Sequence, residues 1–332
     1  MTEVLDCLRP LMALKGVMLS PAEFHSAVNN AFHAVESNVY DNVHQCMWKS
    51  LPEQFELLAG DVLQIGGPAR MSVLDVGCGT GLGSELLLGS GLGPRIRDIT
   101  LLDPSREMLD NCDKRASRWG ASYKLVQGTI ESVSGSFDLL LSCSVLHHIP
   151  DLTDFLQRVD RIVPSGGWFL HFQDPNGDHF TDPALHQRLA EIRLVGRDRI
   201  PGWARRLAPS RVFRRLWREF TRRPNVPPRH YIDEVNEALL HSKVIAAPLS
   251  SEEIWSVTDL HVAGLPFSIG DGISLQWMRG ILSDWKLVSA RSYAFYGRML
   301  SELPPRYQRR EREFAAGRQM NGREFCAAWQ RN

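Results

Sequence analysis

Chemistry in this 332-residue chain concentrates in two short stretches. In the first, Val73, Leu74 and Val76 read as a buried strand carrying one acid, Asp75, and Gly77, Gly79 and Gly81 follow at every second position. Glycines so spaced tolerate positive φ and let a ligand approach the backbone without meeting a Cβ. Residues 82–88 resume with apolar residues at helical spacing, so the loop opens a helix and lies beside its free N–H groups. The second stretch is the L-H-H-I-P run at 146–150, just after an apolar strand at 137–141. Its two histidines stand at the carboxyl end of a central strand, where open α/β sheets bind their ligands. Imidazole suits proton removal near neutral pH, which makes His147 or His148 the candidate general base. A buried, hydrogen-bonded role or a plain pocket-lining role stays open for both.

The glycine loop by itself is compatible with a tight turn, and the next elements argue for more. A second strand at 99–102 ends in Asp103, 22 residues beyond Gly81. In nucleotide-binding α/β folds an acid so placed accepts hydrogen bonds from ribose hydroxyls. The dinucleotide fingerprint G-x-G-x-x-G fails here, because Leu82 occupies the third glycine position. The spacing is G-x-G-x-G, and it resembles motif I of the class I S-adenosylmethionine-dependent methyltransferases. The Phe137-Asp138 start of the fourth strand and the L-H-H-I-P run are also similar to that family, in its small-molecule branch.

The resemblance implies a division of labour among the residues. Gly77, Gly79 and Gly81, with Cys78, would hold the methionine moiety of S-adenosylmethionine; Asp75 would order the loop, and Asp103 would bind the ribose. Pro104, Met108, Gly128, Thr129, Ile130 and Ser142 would complete the cofactor pocket. The family commonly has an acid facing the adenine amino group where this chain has Thr129, which leaves that role less defined. Ile130 packs either on adenine or in the core. Tyr40 and His44 match an N-terminal segment that many small-molecule methyltransferases lay over cofactor and acceptor, and helix packing is the plainer reading. Gln173 and Asp174, after the fifth strand, either position the acceptor or cap a loop.

Positioning these residues requires a regular alternation of strand and helix. A Ser20 cap with Pro21 and Glu23 starts a helix that reaches about Glu36, and another follows from Pro52 to about Gln64. The expected fold is α/β: a doubly wound, Rossmann-like sheet of seven strands with the last antiparallel, plus N-terminal helices and a helical lid insertion. The expected divisions are 1–70, a helical segment over the active site; 71–174, the cofactor core; 175–284, the lid; and 285–332. In the last, strands at 285–289 and 291–297 meet tightly at Ala290, and a polar helix follows from Pro304.

Within the lid, residues 188–229 carry thirteen Arg against Glu191, Asp198 and Glu219, and Ser210 caps a predicted amphipathic helix with an Arg-rich face. A solvated basic face is the plain reading. An anionic acceptor, an acidic membrane surface and RNA are the functional ones, and zero net charge argues against nucleic acid. Asp259 and His261 suit a shared polar site, but no third ligand sits at metal spacing, so no metal is expected.

Composition is that of an ordinary globular protein, 43% hydrophobic with mean hydropathy −0.21 and pI about 7.2. No apolar run reaches the roughly 18–20 residues of a membrane span, and the six scattered cysteines read as reduced thiols, so a cytoplasmic protein is expected. The expected activity is methyl transfer to an O, N or C nucleophile of a small organic acceptor, anionic by preference and of secondary metabolism. RNA or protein methylation and non-catalytic cofactor binding are the alternatives. Neither nucleic acid nor membrane is an expected partner, and a homo-oligomer is compatible with the sequence.

Overall fold

The computed structural model describes residues 4–66, 70–198 and 229–332. The N-terminal part is α1 (Arg9–Lys15), α2 (Pro21–Glu36), the single turn α3 (Tyr40–Val43) and α4 (Gln45–Ile65). The capping box at Ser20 forms as its sequence requires: the hydroxyl accepts from Glu23 N and the Glu23 carboxylate accepts from Ser20 N. Helix α4 starts earlier than Pro52 and carries that proline inside it. One lost backbone bond is offset by the buried stripe Leu51, Phe55, Leu58 and Val62. Phe55 stacks on Phe172 of the sheet with centroids 3.7 Å apart.

The core continues through β1 (Met71–Val76), α5 (Leu82–Gly89), β2 (Ile96–Asp103), α6 (Arg106–Ala116), β3 (Ser122–Gln127), β4 (Leu139–Cys143), α7 (Leu152–Ile162) and β5 (Trp168–Pro175). Beyond it come α8 (Gly177–Phe180), α9 (Leu185–Asp198), α10 (Arg229–His241), α11 (Ser251–Thr258), α12 (Leu275–Ile281), β6 (Trp285–Tyr293), α13 (Pro305–Ala316) and β7 (Glu324–Arg331).

The seven strands lie in the order β3-β2-β1-β4-β5-β7-β6, with β1 to β5 parallel and β7 antiparallel to both neighbours. Every residue of β1 is buried, as a central parallel strand covered on both faces must be. The chain reverses its direction of winding between β1 and β4, so the crevice at their carboxyl ends is the place for a ligand.

The seventh strand is antiparallel as expected, but its residues differ. Residues 285–293 form one strand rather than a hairpin around Ala290, and they pair along their length with β7. A positive φ of 60° at Ala294 ends β6. The polar helix stops at Ala316, and Phe325, Cys326, Ala327, Ala328 and Trp329 then enter the sheet fully buried. Small residues between large aromatics fit a strand squeezed between β5 and β6, where helix-period reasoning does not apply.

Two hydrophobic cores flank the sheet. A third joins Leu8, Leu11, Phe24, Val28 and Phe32 to Tyr231, Val235, Ile254 and Val257, so α1 and α2 pack with α10 and α11 in one helical cap. Most of the Arg-rich segment, including the helix predicted from Ser210, lies outside the described residues.

Candidate active site

A cavity of about 830 Å³ lies between the helical cap and the carboxyl ends of β1, β2 and β4. Its floor is the glycine loop. Gly77 adopts φ 66° with its α-carbon against Val145, where an added Cβ would come within 2.6 Å of a methyl group. Gly79 N donates to Asp103 Oδ2 at 2.9 Å, and Asp103 Oδ1 accepts from Ser105 N at 2.9 Å. The acid thereby ties loop to strand and keeps lone pairs for a ligand. Gly77, Cys78 and Gly79 line the cavity and Gly81 does not. Gly81 is needed for packing instead: a Cβ there would meet Cys112 Sγ at 2.9 Å.

Asp75 lines the same floor with 1% exposure. Its Oδ2 accepts from Ser84 Oγ at 2.6 Å, while Oδ1 is buried without a partner among the described residues. Burial pushes its carboxyl up to about 7. A buried orphan acceptor beside an open glycine cradle fits the ammonium group of S-adenosylmethionine, and Asp103 fits its ribose. Pro104, Met108, Gly128, Thr129 and Ile130 line the adjoining wall. The Thr129 hydroxyl is engaged by the Glu131 carboxylate. Ser142 is absent from the wall; it is fully buried within β4, and its neighbour Cys143 faces the cavity. Strand alternation explains this one-residue displacement.

His147 and His148 lie on the opposite wall, on the 3₁₀ turn Leu146–His148. Asp174 sits behind them, with no exposure. Its Oδ1 accepts from Leu146 N at 3.0 Å and meets His147 Nδ1 at 3.3 Å, and its Oδ2 meets His171 Nδ1 at 3.2 Å. Burial opposes its charge, but these two histidines hold the Asp174 carboxyl below its usual range. His148 Nδ1 donates to Thr258 O at 2.8 Å. Burial lowers the basicity of both imidazoles. For His147 it is outweighed by Asp174 and Asp259, which raise its pKa, whereas His148, flanked by His147 and His33, stays far below its ordinary value.

Gln173 and Asp174, for which two readings are open, do not line the cavity. Asp174 contacts His147 from outside the cavity wall. Gln173, at φ 62°, turns away, donating its N–H to Tyr293 Oη at 2.9 Å and accepting from that hydroxyl at 3.1 Å. His261 also departs from the shared site expected with Asp259, and pairs with Ile149 O at 2.9 Å.

Tyr40 and His44 do line the cavity, their rings 4.5 Å apart. The sequence reading missed what stands beside them. Glu36 meets His44 Nε2 at 2.8 Å and His33 Nδ1 at 3.2 Å. Burial alone would raise its carboxyl, yet these partners bring it down to about 2. His25, Asn29, His33 and Glu36 share one face of α2 and all line the cavity, as does Asp259. Their spacing was the available signal: polar residues at helical intervals beside the apolar stripe of Phe24, Val28 and Phe32.

Residues 74–171 match the family model described as a methyltransferase domain. The chain is 31% identical over 141 residues to the ubiquinone biosynthesis O-methyltransferase of Methylocella silvestris, covering 41% of this chain and 49% of that one. It is 26% identical over 173 residues to the malonyl-[acyl-carrier protein] O-methyltransferase of a Paenibacillus species, covering 50% and 60%. The chain thus spans about half the length of the curated relatives it matches. Among solved structures, the plantazolicin methyltransferase BpumL with S-adenosylhomocysteine superposes over 94% of this chain and 97% of its own, at 13% identity and TM-score 0.44. A methyltransferase of Clostridium acetobutylicum covers 39% of this chain and 53% of its own, at 21% identity and TM-score 0.32. The segment that carries the glycine loop at the switch point of the parallel sheet, residues 74–171, thus matches a methyltransferase domain.

Proposed function

We propose that this protein moves the sulfonium methyl of S-adenosylmethionine to an oxygen of a small organic acceptor held in the same cavity. The observation that carries this reading is the continuity of the chamber: Asp75, Gly79 and Asp103 line one wall, and His147, His148 and Tyr40 line the others. Its volume of about 830 Å³ falls in the range of small-molecule sites, roughly 300–1,000 Å³.

The sulfonium is already activated, so the protein has to bind, orient and exclude water. Gly77 and Gly79 let the methionine end lie against backbone, Asp75 takes its ammonium and Asp103 its ribose hydroxyls. Tyr40 and His44 cover the chamber. His147 and His148 activate the acceptor, whose proton leaves at this wall, and Asp174 fixes the ring of His147. An oxygen nucleophile suits that task, and the two named relatives are both O-methyltransferases.

The test is methyl transfer from labelled S-adenosylmethionine into a fractionated extract of small organic acids, phenols and macromolecules. Label in the small organic fraction supports the reading. Label confined to RNA or protein, or cofactor binding without any transfer, overturns it.

A further inference from the structure

We propose that His147, His148 and Asp259 form a binding site for a divalent transition-metal ion on the acceptor side of the cavity. One ligand atom from each of the three lies within 4.8 Å of the other two. All three line the cavity, so an ion held there would keep an open face toward the acceptor.

The surroundings prepare the His147 imidazole as a ligand and place His148 beside it. His147 presents Nδ1 to Asp174 at 3.3 Å, and His148 presents Nδ1 to Thr258 O at 2.8 Å. With its proton on Nδ1, the His147 ring keeps its Nε2 lone pair toward Asp259, whereas in His148 it is Nδ1 that lies 3.5 Å from Asp259 Oδ1, so an ion there would replace the Thr258 O contact. A carboxylate or carbonyl behind a metal-ligating histidine fixes the ring and raises its basicity in this way. Asp174 is fully buried, so it serves as the outer partner rather than as a ligand.

The spacing also suits an ion better than a hydrogen bond. His147 Nε2 lies 3.6 Å from Asp259 Oδ1, too far for a direct hydrogen bond. Two ligands of a tetrahedral ion, each about 2.0–2.1 Å from it, are roughly 3.4 Å apart. Two imidazole nitrogens and one carboxylate, with a fourth position open, form the donor set of a catalytic zinc or a related divalent ion.

The inference rests on the proposed methyl transfer for its role but not for its binding. An acceptor hydroxyl on the ion would release its proton to solvent. The resulting oxygen would form the new O–C bond as the S–C bond breaks and its electron pair remains on sulfur. The ion keeps its oxidation state throughout.

The experiment uses the full chain loaded with Zn²⁺, dialysed against metal-free buffer and assayed for metal content, with S-adenosylmethionine binding measured on the same samples. About one Zn²⁺ per chain is expected, with at least a tenfold loss of zinc affinity in Asp259→Asn and in His148→Ala. The exposed-site control His241→Ala should keep the ion. Chelation of the loaded enzyme should lower methyl transfer at least tenfold and added Zn²⁺ should restore it. Zinc below stoichiometry in the native chain, or retained by a folded, cofactor-binding Asp259→Asn, overturns the site. Transfer indifferent to chelation overturns the role assigned to the ion. Failure of the native chain to bind S-adenosylmethionine overturns the methyltransferase reading instead, because metal content is read without cofactor or acceptor.

Discussion

Asp174 Oδ1 lies 3.3 Å from His147 Nδ1, and the carboxylate reaches it from outside the cavity, with no exposure of its own. The residue that faces the chamber and the residue that orients it are thus on different strand ends, β5 behind and the turn after β4 in front. Asp174→Asn keeps the shape but can present an N–H to Nδ1, which favours the wrong tautomer. We expect kcat to fall about 10–100-fold, as for loss of an outer partner of a functional histidine. Cofactor affinity should change little, since Asp174 is not on the cofactor wall. Equal loss in cofactor binding would argue against the positioning role.

Asp75 predicts two pH effects of opposite sign. Its folded pKa of about 7 lies above the ordinary 3.8, so between these values the ligand-free folded state holds a proton that the unfolded state has lost. Stability therefore falls as pH rises from about 4 to 7, by up to about 4 kcal/mol from this group. Binding of S-adenosylmethionine should run the other way and tighten as the carboxylate forms to meet the ammonium. In Asp75→Asn both slopes should flatten, read by denaturant midpoints and by calorimetric titration from pH 5 to 8.

Glu36 behaves oppositely. Its carboxyl is brought down to about 2 from 4.5 by His33 and His44 despite burial, so its contribution is complete above pH 4.5 and disappears as pH falls toward 2. His33 is raised by Glu36 despite burial, so its share is present below pH 6.5 and is lost as pH rises through its folded pKa. Glu36→Gln should therefore destabilise most near pH 5–6, on the order of 3 kcal/mol. A uniform loss from pH 3 to 9 would mean that packing, not charge, is what Glu36 supplies.

Gly81→Ala should act through packing. The new Cβ at φ 87° meets Cys112 Sγ at 2.9 Å and Trp119 at 3.3 Å. Strain of about 1–3 kcal/mol is expected in chemical denaturation. Cys112→Ala in the same chain should recover part of it, whereas a direct cofactor role for Gly81 would leave the second substitution without effect.

Phe55→Ala tests the mount of α4. The ring stacks on Phe172 at 3.7 Å with 1% exposure, and its removal should cost about 3–5 kcal/mol. Cofactor affinity, measured where the variant is still folded, should stay within a few-fold.

Local pattern carried much of this protein. The apolar run before Gly77, the acid at Asp103 and the Ser20 capping box are each decided by neighbours in sequence, so residue types alone place strand, loop and helix start. The histidines after β4 were legible for the same reason. What local pattern could not give was which side chains face which way: Ser142 falls on the buried side of β4 and Cys143 on the open side, and Gln173 turns away at a positive φ. The segment at 324–331 reads as part of the polar helix from Pro304 until two strands stand on either side to pair with it.

The sequence by itself determined the parallel sheet and its glycine loop, because those depend on backbone freedom and short-range periodicity; the cofactor came from the loop's resemblance to a known family. Only the tertiary structure decided the polar wall facing the glycine loop. Glu36 from α2, His147 and His148 from the turn after β4 and Asp259 after α11 line it, and Asp174 from β5 backs His147, through packing of distant segments. No spacing along the chain encodes contacts that arise only when the helical cap closes on the carboxyl edge of the sheet.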